Sequence, residues 1–308
     1  MMMKKSVILV LMLSLVLSLS IFSESEYLPE SGIVSLKLRE ISSDDGVNWL
    51  LNSWKNSDRE SSLRKFVRTI QFDTMGVSIL PSQPGGGREL LLAINAANGF
   101  ELTNLKKVIQ TRTSSDILKQ KYQSHTIYYN DVPAEYNAVA AVGNYVLIGT
   151  SVTAIEKAIG EDAFTENSQY KDAAGKLSAD EDVILFGSNS SGQFAEFLDP
   201  LQDKWRLTLL LSADSLEWIG SSFDVVESNT IKGKIIFKSK DSSGVDDVAD
   251  DASFIGEAFK RKFMAENIEY SSRVTVDGTY VTLSFDCTGL EPLWLKLFED
   301  GAMSVISP

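Results

Sequence analysis

Cysteine and histidine each occur once in the 308 residues, as Cys287 and His125. A single cysteine excludes an internal disulfide, so a packed core has to hold the fold. A single histidine excludes a multi-His zinc site and any mechanism that needs two imidazoles. Basic residues are also scarce, 29 Lys and Arg against 42 Asp and Glu, for a net charge of −13. Nucleic acid and anionic lipid surfaces bind by releasing counterions to clusters of Lys and Arg, so this balance argues against both as partners. Only one long apolar run is present, and it stands at the very start.

That run, residues 6–22, follows Lys4 and Lys5 and precedes the small polar residues Ser23, Glu24 and Ser25. Basic start, apolar stretch and small-residue exit are the three parts of a secretory signal. Residues 1–25 are therefore expected to be a signal peptide cut after Ser25, or alternatively after Ser23. An uncleaved anchor is the competing reading, because a run of 17 positions falls just short of the ~18–20 that span a bilayer. No cysteine at the boundary offers a lipid attachment point. Cleavage removes Lys4, Lys5 and Glu24, which takes the net charge one unit beyond −13 and leaves no transmembrane segment. The expected address is the periplasm or cell surface of a bacterium.

Beyond the signal, the apolar spacing alternates between the helical and the strand period. Val47, Leu50, Leu51 and Trp54 follow a helical stripe, as do Leu63, Phe66, Val67 and Ile70. Strands are expected at 33–38, 75–79, 90–94, 138–142 and 145–148, with Gly143-Asn144 as a hairpin turn and Thr150 or Ser151 capping the helix that follows. The second half is expected to carry helices near Tyr170, Phe194 and Leu290 and over 245–265. Its strands should lie at 183–186, 207–211, 218–226 and 231–237, with a hairpin turning at Asp277-Gly278. This is the pattern of an α+β protein with largely antiparallel sheets and helices packed on one face. The polar stretch 161–169 divides it into two similar units in tandem, 26–160 and 161–308. Interspersed helices argue against an outer-membrane barrel.

Few residues suggest chemistry, and each has a plainer explanation. Ser62 and Lys65 have the S-x-x-K spacing of serine acyl-transfer enzymes, but the accompanying elements are missing and Leu63 and Phe66 mark an ordinary helix. His125 lacks a Gly-x-Ser-x-Gly partner motif and is expected to be exposed and non-catalytic. Gly85-Gly86-Gly87-Arg88 lacks the ending of a phosphate loop and is expected to be a flexible turn. Asp241, Asp246 and Asp247 are the candidate metal ligands, yet a calcium loop opening at Asp241 would need glycine where Asp246 stands and glutamate where Ala252 stands. Acids at a helix start are expected in any case, since they oppose the positive end of its dipole. Cys287 lies in the alternation Val281, Leu283, Phe285, Cys287, which places it on the buried side of a strand. Trp54 and Trp294 fall on core stripes, whereas Trp49, Trp205 and Trp218 are candidates for packing at an edge or lining a partner surface.

Three segments carry a resemblance. They are Tyr27-Leu28-Pro29-Glu30-Ser31-Gly32, the stretch 142–151 in which a strand enters a helix, and the linker and helix at 164–174. In that order they resemble exported bacterial proteins grouped as the domain-of-unknown-function family numbered 3352. The resemblance implies an envelope protein of α+β build and brings no catalytic residues. Residues and resemblance together predict an exported, non-enzymatic binding or interaction protein without a cofactor. Its partner is expected to be a protein or, if the chain is a carrier, a lipid or other apolar small molecule. An envelope hydrolase using Ser62 and Lys65, or His125, is the remaining alternative.

Overall fold

The computed structural model describes residues 27–32, 34–38, 48, 52, 62–81, 89–96, 99–110, 116–131, 136–177, 181–189, 213–226 and 229–292. The signal with its cleavage at Ser25 or Ser23, the glycine loop at 84–87, the helix at 194–201, the strand at 207–211 and residues 293–297 lie outside them. Of the helix expected at 47–54, Asn48 and Asn52 are described and are helical.

The strands are β1 Val34–Leu38, β2 Phe72–Leu80, β3 Glu89–Ala96, β4 Leu118–Tyr122, β5 His125–Tyr129, β6 Ala138–Val142, β7 Tyr145–Gly149, β8 Val183–Ser188, β9 Leu216–Val226, β10 Thr230–Ser239, β11 Glu269–Asp277 and β12 Tyr280–Thr288. The helices are α1 Ser62–Val67, α2 Leu102–Lys106, α3 Val152–Gly160, α4 Ser168–Ala174 and α5 Val245–Ala265. All twelve strands pair antiparallel in one sheet of order β11-β12-β10-β9-β8-β1-β2-β3-β7-β6-β5-β4. The fold is α+β, with an antiparallel sheet as its backbone.

The two halves of the chain meet where β1 pairs with β8, so the sheet runs unbroken across the expected division at residue 160. Reading outward from that pair, both halves follow one scheme. The third strand, β3 or β10, leads into a helix, α2 or α5. The chain then moves to the outer edge and returns as a meander to pair with the third strand.

Side chains alternate across the pleat, which sorts them into two layers. On the front, Leu92, Ile94, Val139, Val146, Phe223, Phe237 and Leu283 pack with Phe66 and Val67 of α1, Leu105 of α2 and Val248, Ile255, Phe259 and Phe263 of α5. On the back, Leu91, Ala93, Ala140, Leu147 and Trp218 pack with Ile155 and Ala158 of α3 and Tyr170 and Ala173 of α4. Helices thus cover both faces, where one covered face was expected. Strands β3, β6 and β7 are buried at nearly every position, and a strand buried on both sides must be covered on both. The expected one-sided cover holds for most of the outer strands β10, β12 and β11, except near α4, where Ile236 is buried in the back layer and Tyr280 packs against it. Their front lies under α5, and their back shows Lys232, Lys234, Ser284 and Arg273 to solvent.

Local chemistry explains the element ends. Ser151 Oγ accepts from the amide of Ala154 and caps α3, and its own hydroxyl donates to Glu89 Oε1 at 2.5 Å. The segment 27–32 is strapped to the back, with Glu30 N donating to the Asp162 carbonyl and Phe164 N to the Leu28 carbonyl. The final hairpin corrects one expectation. Asp277 pairs with Tyr280, so the two-residue turn is Gly278-Thr279, one position later than anticipated. Gly278 has φ +61° and takes the first turn position, the place where that backbone demands glycine.

Candidate functional site

The sheet ends on two very different edges. Strand β4 has five residues, carries Lys119 and Lys121 and is tied to α3 through Gln120 Nε2 donating to Glu156 Oε1 at 2.7 Å. Short length and lysine are the usual means by which an edge avoids pairing with another chain. Strand β11 has nine residues, Glu-Tyr-Ser-Ser-Arg-Val-Thr-Val-Asp, with neither lysine nor proline. Among the described residues it is paired on one side only, with β12. None of its nine side chains is fully buried, and Val276 is 52% exposed. Phe254 and Met264 of the covering helix α5 are exposed as well, at 51% and 64%. Among the described residues nothing pairs with the outward row of backbone donors and acceptors on this edge.

Beside this edge lies a polar cluster that sequence reasoning missed. Asp172 of α4 accepts from Trp218 Nε1 at 3.0 Å and from Tyr280 Oη at 2.8 Å, using both carboxylate oxygens. Lys238 and Lys176 place their ammonium groups 4.0 and 4.4 Å from the centroid of the Tyr280 ring. Lys238 also donates to Thr279 Oγ1 at 2.6 Å, and Lys176 lies 3.4 Å from Asp277 Oδ2. Burial, then the bond to Asp172, pushes the Tyr280 phenol up to about 12. Both oxygens of Asp172 are engaged, so the group acts as a clamp holding α4 to β9, β10 and β12. Asp172 and Tyr280 are 108 positions apart, and no local pattern announces them. Trp218, a candidate for a partner surface, is in fact wholly buried in the back layer.

Lys65, His125 and Asp241 lie on separate segments of the fold. Lys65 is exposed on α1, whose buried residues are Leu63, Phe66 and Val67. His125 opens β5, half-exposed, opposite Tyr122. Asp241 is exposed and caps the turn before α5. The Ser243 hydroxyl, then the amides of Ser243 and Gly244, hold its carboxyl below the usual carboxylate range. Asp246 and Asp247 follow on the first turn of α5, exposed. Among the described residues no three His, Cys, Asp or Glu side chains are grouped as a metal ion would require. Cys287 is buried in the front layer, and burial pushes its thiol up to about 12. Among the described residues no helix is long and apolar enough to cross a membrane.

The three segments that carried the resemblance meet on the back of the sheet. The strap at 27–32 pairs with 162–164, and the Tyr27 ring meets the Tyr145 ring edge-on at 4.9 Å. Their shared role is packing. No family model, curated protein or solved structure matches the chain.

Proposed function

We propose that this is an exported envelope protein that docks a partner on the edge of its sheet and carries out no reaction. The observation that carries this reading is the contrast between its two edges: β4 is short, lysine-bearing and tied down, while β11 is long, lysine-free and, among the described residues, unpaired on its outer side. An open edge of this kind pairs with an added strand through main-chain hydrogen bonds, with side chains on alternate sides giving specificity. Export is supported by the order of Lys4, Lys5, the apolar run 6–22 and Ser25. A lone thiol buried in the core also suits an oxidising compartment, since it is shielded from oxidants.

A carrier of apolar molecules would call for a cavity between sheet and helices. A methyl group added at Gly149 would meet Ile155 Cδ1 at 3.1 Å on the back, and one at Gly256 would meet Leu283 Cδ1 at 3.2 Å on the front.

The test is to place lysines on the open edge, as β4 has them. The full chain and its Thr275→Lys, Val276→Lys double variant are produced in their own host and extracted without denaturation, and complex sizes are compared on a native gel. Both substituted positions are exposed, so the fold of the bare chain should tolerate them. A wild-type complex larger than the bare chain that the variant fails to form supports the reading. Equal sizes for the two chains overturn it.

A further inference from the structure

We infer that the strand added to β11 is the β11 of a second copy, running antiparallel with Thr275 on the twofold axis. The inference rests on the docking reading of this edge and identifies its partner.

A twofold axis perpendicular to the sheet keeps front with front and back with back, so only residues of the same face can lie opposite one another. Glu269, Ser271, Arg273, Thr275 and Asp277 are on the back, with Tyr270, Ser272, Val274 and Val276 on the front, as their β12 partners show. An axis at Arg273 would give full overlap but would set Arg273 against its own copy and Glu269 against Asp277 twice. Like charges directly opposite oppose pairing. An axis moved to Thr275 sets Arg273 against Asp277, twice over by symmetry, on the back. On the front it lays Val274 over the half-exposed Val276 of the other copy.

Both charged groups are ready for this arrangement. Arg273 is exposed and has no hydrogen-bond or ion-pair partner among the described residues. The side chain of Asp277 is 86% exposed and holds Lys176 only loosely at 3.4 Å.

Space favours the same register. The second strand runs on past the hairpin tip, where nothing among the described residues lies within 4 Å of a methyl group placed on Gly278. An axis at Ser271 would instead drive the partner's hairpin past Asn267 and Ile268, where the chain turns with φ +59° and is bonded to the end of α5 through Ile268 N and the Phe263 carbonyl. It would also leave Val276 uncovered.

Single cysteines read the register directly. Residues opposite each other in an antiparallel pair have Cα atoms about 4.5–5.5 Å apart, within disulfide reach. The native Cys287 is buried and does not compete. Mild oxidation of the full chain carrying Thr275→Cys should convert it to a covalent dimer, while Ser271→Cys and Arg273→Cys stay monomeric. In sedimentation, Arg273→Glu should weaken the dimer by about tenfold or more. The exchange Arg273→Asp with Asp277→Arg should restore it. Linking at 271 or 273, linking at none of the three, or an exchange that fails to restore the dimer overturns the inference. A chain that proves monomeric while the lysine double variant still abolishes its native complex overturns the second copy alone. If both fail, the docking reading falls with it.

Discussion

The rings of Phe223 and Phe285 meet across Gly233, with centroids 6.3 Å apart, although they belong to strands that do not pair. Gly233 stands opposite both, with Phe223 on β9 and Phe285 on β12. The missing side chain lets the two aromatics close over the middle strand and supply the front layer that α5 rests on.

Gly233→Ala should therefore destabilise the protein, even though alanine normally suits a strand interior at least as well as glycine. A methyl group there would overlap Phe223 Cβ and the Ser222 carbonyl oxygen. The expected loss is about 1–3 kcal/mol, as for overpacked cores, read as a lower denaturation midpoint at unchanged slope.

Asp172→Ala removes the acceptor of the Trp218 indole and the Tyr280 hydroxyl together. The indole is wholly buried, so its N–H is left without a partner, at a cost of about 1–3 kcal/mol. Tyr280→Phe, which deletes one donor at the rim, should cost about 1 kcal/mol or less. Unfolding curves of the two variants should differ in that order.

Ser151→Ala takes away two bonds at once, the cap on Ala154 and the donor to the buried Glu89 carboxylate, whose other oxygen has no hydrogen-bond partner among the described residues. A lost cap alone costs about 1 kcal/mol. The variant should lose more than that, and Ser151→Thr, which keeps the hydroxyl, should recover most of it.

Alkaline pH should weaken the fold through groups held protonated in its interior. Cys287 is raised by burial from 9.0 to about 12, and Tyr280 from 10.0 to about 12. Each favours the folded state fully below its unfolded value and loses that contribution as pH climbs toward the folded value. Stability set by these groups is flat up to about pH 9 and declines between about 9 and 12. The same burial makes Cys287 inert: a thiol reagent at pH 8 should label it only after denaturant is added.

The periodic elements were legible in the sequence because their causes are local. Ile231, Ile235 and Phe237 alternate with lysines along β10, α5 spans the expected 245–265, and Ser151 announces its helix. Strand β4, Leu-Lys-Gln-Lys-Tyr, was missed because an exposed edge has no buried face to create an alternation. The second helical layer was missed because β6 and β7 read as short apolar runs, which do not say which faces are covered. The clamp at Asp172 and the openness of β11 depend on which strands become neighbours, and that is settled by topology. The offset of the last turn is a one-residue matter that Asp277-Gly278-Thr279 leaves open until Asp277 is seen to pair with Tyr280.

Amide hydrogen exchange over residues 269–277, compared between the native complex and the Thr275→Lys, Val276→Lys variant, decides whether β11 is a docking edge. The outward-facing amides of β11 should exchange slowly in the complex and fast in the variant, while β12 is protected equally in both. Fast exchange along β11 in the native complex would contradict docking at this edge.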